Sequence, residues 1–200
     1  MPGPATGTCS GRRRPGTAPP RRTGSRPTTP PRATPPGVWV GGGLAGLNDG
    51  HGLPAGRPVD GTTLGRLFGH GHDPVTGQPL GRGLAVRRQP DGSSQVVGVA
   101  GFDLTFTVPK SASVLWALGD PHIQAEVLAA HHATIDVVLG WAEREIVVTR
   151  TGHAGSVPLR TRGLVAARFD HYDSRAGDPN LHSHLAVANR VQGEDGIWRA

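Results

Sequence analysis

The sequence predicts a mixed α+β fold in one domain that begins near Val38, and three observations predict it. Residues 99–109, 164–171 and 181–191 alternate apolar and polar side chains with the period of two that a half-buried strand needs. Residues 110–146, between the first two of these segments, carry apolar positions at helical spacing instead. Two hundred residues are enough chain for one domain with a substantial core.

The elements follow in order. Residues 1–37 hold ten of the 19 prolines and seven arginines, with no acid and no apolar period. Such a stretch cannot offset its ordering entropy, so it reads as a disordered Pro/Arg-rich tail. A globular pattern starts at Val38, and Gly41-Gly-Gly43 and Gly50-His-Gly52 make its opening rich in loops. Residues 62–68 read as a short helix and residues 72–79 as a turn-rich connection. In the strand 99–109, Phe102, Leu104, Phe106 and Val108 share one face, opposite Asp103, Thr105 and Thr107. A helix follows from Pro109, with Ser111 placed to cap its first turn. Asp120-Pro121 opens a longer helix, with Asp at the N-cap and Pro at the first position. Its apolar positions are Ile123, Val127, Ala130, Ile135, Val138, Leu139, Ala142 and Ile146. The strand 164–171 puts Val165, Ala167, Phe169 and His171 on one face. The strand 181–191 puts His182, His184, Ala186 and Ala188 on one face, opposite Leu181, Leu185 and Val187.

Charge narrows the partners. The net charge of +6 belongs to the tail, because removing its seven arginines leaves 14 basic residues against 15 acidic ones. An arginine-rich arm can hold nucleic acid nonspecifically, and it can equally be a solvated arm. The single cysteine, Cys9, excludes a disulfide within the chain and is compatible with a reducing cytosol, so the expected location is cytoplasmic. No apolar run of membrane-spanning length occurs, and the basic start has no apolar region of a secretory signal, so no membrane is expected as a partner.

Chemistry concentrates at His171, His182 and His184. Residues two apart on a strand project to the same side, so the His-Ser-His run presents two imidazoles together. An antiparallel neighbour joined through Ser174-Arg-Ala-Gly-Asp-Pro-Asn180 brings His171 to the same face. Three neutral imidazoles with an open coordination position suit a catalytic metal. The spacing alone leaves the reaction open, since oxygenases and metal hydrolases also use it. His51, His70 and His72 lie among glycines in loops, and His122, His131 and His132 on the long helix, where packing or exposure explains them better. Asp103 is the next candidate, as a carboxylate that hydrogen-bonds a metal-bound imidazole or as a solvated strand residue. Lys110, the only lysine, either contacts phosphate or caps an exposed turn, and Asp178-Pro179 shapes the loop between the histidine strands.

The run Gly101-Phe-Asp-Leu-Thr-Phe-Thr-Val-Pro-Lys-Ser-Ala-Ser113 resembles the strand-to-helix signature of TrwC-type (MOBF class) conjugative relaxases. Ser174-Arg-Ala-Gly-Asp-Pro-Asn-Leu-His-Ser-His184 resembles their metal motif, with His171 where the upstream ligand belongs. The resemblance covers residues 38–200 and implies an HUH relaxase-like α+β domain, an antiparallel sheet with packed helices. It implies a divalent cofactor held by His171, His182 and His184, with Mg²⁺ or Mn²⁺ expected and Zn²⁺ the alternative. It further implies that Asp103 orients a histidine or assists proton transfer, and that Lys110 contacts DNA. The partner would be single-stranded DNA at an origin of transfer, nicked by transesterification when a tyrosine attacks the scissile phosphate.

The pattern is departed from at the nucleophile. Relaxases of this type carry it within their first few dozen residues, whereas the only tyrosine here is Tyr172. Strand alternation aims Tyr172 away from His171. The expectation is therefore a relaxase domain incomplete at both ends, with residues 1–37 a different reading frame or an unrelated fusion joined near Pro36. The competing expectations are a non-catalytic remnant that binds metal and single-stranded DNA, and an unrelated three-histidine hydrolase.

Overall fold

A computed structural model describes residues 34–83, 86–96 and 98–200. The tail expected over residues 1–37 and Cys9 lie, up to residue 33, outside the described residues. The described residues form one compact unit.

A four-stranded antiparallel sheet organises that unit, in the order β1-β7-β8-β4. Its strands are β1 (Val38–Val40), β4 (Gly101–Thr107), β7 (Ala166–Asp173) and β8 (Pro179–Ala188). Helices α2 (Lys110–Leu118) and α3 (Pro121–Glu145) connect β4 to the later strands and cover one face. Ile135 and Leu139 of α3 pack there on Val40, Ala166, Leu185 and Val187. The opposite face is covered by residues 42–80, which include the short helix α1 (Gly61–Leu64) and the π-helical turn Gly65–His70 that continues it. Leu44, Leu47, Leu53, Leu67 and Leu80 join Trp39, Val165, Ala167 and Ala188 in that second core. Alternation thus feeds two cores from the same strands, as the sequence pattern requires.

The glycine-rich opening has a packing reason. Gly41 has φ +107°, and a Cβ there would collide with the carbonyl oxygen of Leu164. The close approach lets Glu143 of α3 accept hydrogen bonds from Gly42 N (2.7 Å) and Leu164 N (2.9 Å), tying helix, loop and strand together.

Two expectations need correction. Ser111 does not cap α2, whose N-cap is Pro109 with no side-chain bond. The serine that works there is Ser113, fully buried, whose Oγ accepts from Leu181 N at 3.1 Å and fastens α2 to β8. The apolar face of β4 is also largely uncovered: Phe102 is 56% and Leu104 44% exposed, because α3 lies over β7 and β8. On α3 only His131, Ile135 and Leu139 are buried, and the helix ends at Glu145, one residue before Ile146. The expected N-cap of α3 is present, with Asp120 Oδ1 accepting from His122 N and Ile123 N, both at 2.9 Å.

Three short hairpins were not anticipated. Strands β2 (Val86–Arg88) and β3 (Ser94–Val96) pair as a hairpin. Its signal is Pro90-Asp91-Gly92: Gly92 takes φ +82°, its N–H reaches the Gln89 carbonyl, and Asp91 Oδ1 accepts from Ser93 N. Two further short hairpins join β5 (Val148–Thr151) to β6 (Val157–Arg160) and β9 (Val191–Gln192) to β10 (Trp198–Arg199).

Candidate metal centre

Strands β7 and β8 are joined by a tight loop. Ser174 closes it, with its N–H donating to the Asp178 carbonyl at 2.9 Å and its Oγ accepting from Ala176 N and Asp178 N. Gly177 in the turn takes φ +77°, which glycine adopts without a steric penalty. The pairing that results sets Asp170 opposite Ser183 and His171 opposite His182, with a bulge between His171 and Asp173. The three expected histidines therefore meet on the face away from α2 and α3.

Their geometry is that of an open tripod. The ring centroids of His171, His182 and His184 form a triangle with sides of 5.1, 5.1 and 5.2 Å. One nitrogen from each lies within 4.8 Å of the others, close enough to share one ion. Hydrogen bonds select which nitrogen is offered. His182 Nδ1 lies 2.7 Å from the Asn180 carbonyl, which can only accept, so the proton is on Nδ1 and Nε2 keeps its lone pair. His184 Nδ1 lies 2.8 and 3.0 Å from the two oxygens of Asp103, which fixes the same tautomer. A ligating histidine is commonly held this way by an oxygen on its second nitrogen. Burial and the neighbouring His182 and His184 push the His171 pKa below the ordinary histidine value, so its imidazole is neutral and able to ligate at neutral pH. The donor set fits a divalent cation.

Asp103 reaches His184 from the outer strand. It pairs with Ala186, two residues along β8, so its carboxylate projects on the histidine face. Lys110 stands at the first turn of α2, exposed, and its ammonium donates to the Pro179 carbonyl at 2.8 Å. One of its three donors is thus spent on the start of β8. Tyr172 points to the other face, where its ring lies 4.6 Å from that of Trp116 of α2, as strand alternation requires.

The helix histidines stand apart from the tripod, and His122 is exposed in the first turn of α3. His131 Nε2 meets Ser183 Oγ at 2.9 Å and His132 Nε2 meets Asp170 Oδ2 at 2.9 Å, both on the helix side of the sheet. Burial raises the Asp170 pKa, but its hydrogen bonds with His132 and Ser183 outweigh burial and the net shift is downward. His51, His70 and His72 stand apart from the tripod.

Comparison with known proteins gives these features a context. The model of the TrwC relaxase family matches residues 29–200. The multifunctional conjugation protein TraI of Escherichia coli is 36% identical over 118 residues, 58% of this chain and 6% of TraI. The conjugative relaxase TrwC in complex with oriT DNA, in a metal-free structure, superposes with a TM-score of 0.60 at 29% identity, covering 82% of this chain and 52% of that one. Its copper-bound complex gives a TM-score of 0.60 at 32% identity, covering 82% and 50%. The chain thus spans about half the length of these solved structures and a small part of the curated relatives. The mixed fold of helices on an antiparallel sheet is theirs. With the family match running over more than four-fifths of its residues, the chain belongs to the TrwC relaxase family.

Proposed function

We propose that this chain supplies the metal site and part of the DNA-binding surface of a conjugative relaxase, which nicks single-stranded DNA at an origin of transfer. The observation that carries the reading is the His171–His182–His184 tripod with Asp103 behind His184. The TrwC complexes with oriT DNA, one of them copper-bound, support the same substrate and cofactor class for this chain.

His171, His182 and His184 would hold a divalent ion, with Mg²⁺ or Mn²⁺ expected and Zn²⁺ the alternative. When bound, the ion supplies Lewis-acid stabilisation of the charge on a scissile phosphate. Asp103 keeps the proton of His184 on Nδ1, so that Nε2 stays a ligand. In the reaction a tyrosine gives up its phenolic proton as an Oη–P bond forms, the P–O3′ bond breaks, and the 3′ oxygen takes up a proton. Tyr172 does not serve as that tyrosine, because it packs on Trp116 across the sheet from the tripod. Lys110 has two donors left for a phosphate. Arg87 and Arg88, both exposed on the β2–β3 hairpin, add charge that would contact phosphates of the strand.

The position of Tyr172 favours a second reading for this chain taken alone, in which it binds metal and single-stranded DNA without cleaving. One experiment addresses both. Single-stranded oligonucleotides tiled across the DNA beside the coding region are incubated with the chain and Mn²⁺, then resolved by native and denaturing electrophoresis. Retention on the native gel that falls steeply with salt and is lowered in Arg87→Ala/Arg88→Ala, without a covalent adduct, is the expected result. An adduct mapping to Tyr172 overturns its assignment as a packing residue, and no retention of any oligonucleotide overturns the relaxase reading.

A further inference from the structure

Beneath the histidine tripod, on the opposite face of the same two strands, lies a buried set of polar groups. It comprises Asp170 and Arg168 of β7, Ser183 of β8, and His131 and His132 of α3. Ser183 is fully buried, His131 is 7% exposed, and the side chains of Asp170 and Arg168 are 12% and 13% exposed. Simple chemistry assigns the proton in each of its hydrogen bonds, while the buried Arg168 Nε makes none. Arginine only donates, so its Nη2 gives a hydrogen bond to His132 Nδ1 (3.4 Å), and His132 Nε2 then donates to Asp170 Oδ2 (2.9 Å). Ser183 gives its single proton to Asp170 Oδ1, so its oxygen must accept from His131 Nε2 (2.9 Å). Two chains of donors, one from each histidine, converge on one carboxylate with no conflict between protons.

The position of this set matters more than its polarity. Asp170 and Ser183 are direct cross-strand partners, and the next partners along the ladder are His171 and His182. A slip of one residue would turn every side chain of a strand to the other face and scatter the tripod. The loop closed by Ser174 lies beyond a bulge between His171 and Asp173, so Asp170 and Ser183 are the regular pair that sets the register next to the ligands. We propose that Asp170, Ser183, His131 and His132 act as positioning residues: a hydrogen-bonded latch that pins the register of β7 against β8 and so presets the three-histidine site on the other side of the sheet. This rests on the reading of the tripod as a metal site.

The test uses Ser183→Ala and Asp170→Asn in the full chain. Asparagine at 170 cannot satisfy both partners, because its amide NH₂ would face either His132 Nε2–H or the serine proton. Co²⁺ is the probe, read by its visible absorption and by titration. Both variants should bind Co²⁺ about 10–100-fold more weakly than the parent, the loss seen when groups that orient metal ligands are removed. Leu53→Ala, in the core on the tripod side but outside the latch, should lower the melting temperature yet keep Co²⁺ affinity within about twofold. Hydrogen exchange of the β7–β8 amides, measured without metal, should rise about tenfold in both latch variants and stay unchanged in α2. Parent-like cobalt affinity together with parent-like exchange overturns the latch. A parent chain that takes up no Co²⁺ overturns the metal reading instead, and exchange alone then decides whether the latch holds the register.

Discussion

The helix side of the sheet has two halves that look alike in sequence and behave differently in the fold. Leu185 of β8 and Leu104 of β4 are cross-strand partners, and Val187 and Phe102 are the next pair on the same side. Leu185 is fully buried under Ile135 and Leu139, while Leu104 is 44% exposed and Phe102 56%. β4 is an outer strand, and no described strand pairs with its far edge. Alternation tells which side chains share a face; it does not tell whether anything covers that face. The histidine tripod sits on the covered, doubly packed pair of strands, and the open strand contributes Asp103 and Thr105, which need to reach only the His184 imidazole.

The largest test of this contrast is truncation on each half. Leu185→Ala should cost about 2–5 kcal/mol, because the cavity lies among fixed neighbours. Leu104→Ala should cost about 1 kcal/mol or less, since much of that side chain is already in water. Urea unfolding of the two variants measures both. Equal losses would mean that the β4 face is covered in solution.

How much of this was legible in the sequence follows the same division. The tripod was readable because His182, His184 and His171 need only strand alternation and one antiparallel hairpin to meet. The tie of Asp103 to His184 was readable only as one of two alternatives, since it depends on which strand lies beside β8. The role of His131 and His132 was out of reach: their partners Ser183 and Asp170 lie 52 and 38 residues away, and no local pattern links them. The β2–β3 hairpin was there to be read from Pro90-Asp91-Gly92, but three-residue strands give alternation too little length to register. Ser111 misled because a serine two residues after Pro109 looks like a cap, whereas the helix already starts at Lys110.

A pH series sharpens the contrast from the covered half. Burial first, then the neighbouring His132, depress the His131 pKa below the ordinary 6.5. A depressed histidine is neutral in the native state, while the unfolded chain takes up a proton once the pH falls below 6.5. Stability contributed by neutral His131 is therefore present above that value and lost progressively beneath it. The Asp170 carboxyl, held below its ordinary 3.8, adds a second loss at still lower pH. His131→Gln keeps a donor for Ser183 but cannot titrate. Unfolding free energy measured from pH 8 to pH 5 should fall less in this variant than in the parent. Parallel curves would show that His131 protonates as easily in the native chain as in the unfolded one.

The smallest effects come from the helices that provide the cover. Asp120 satisfies two N–H groups at the start of α3, so Asp120→Ala should cost about 1 kcal/mol, the usual worth of an N-cap. Ser111 makes no capping bond at the start of α2, and Ser111→Ala should stay within about 0.5 kcal/mol of the parent. The pair separates cover from contact. Loosening the first turn of α3 releases the helix that carries His131, Ile135 and Leu139, so Asp120→Ala should also quicken amide exchange at Ser183 and Leu185. Exchange in β4 should not respond, since α3 does not cover Phe102 or Leu104. If the β4 amides quicken equally, the two halves of the sheet open as one unit and the division drawn from burial does not describe their motions.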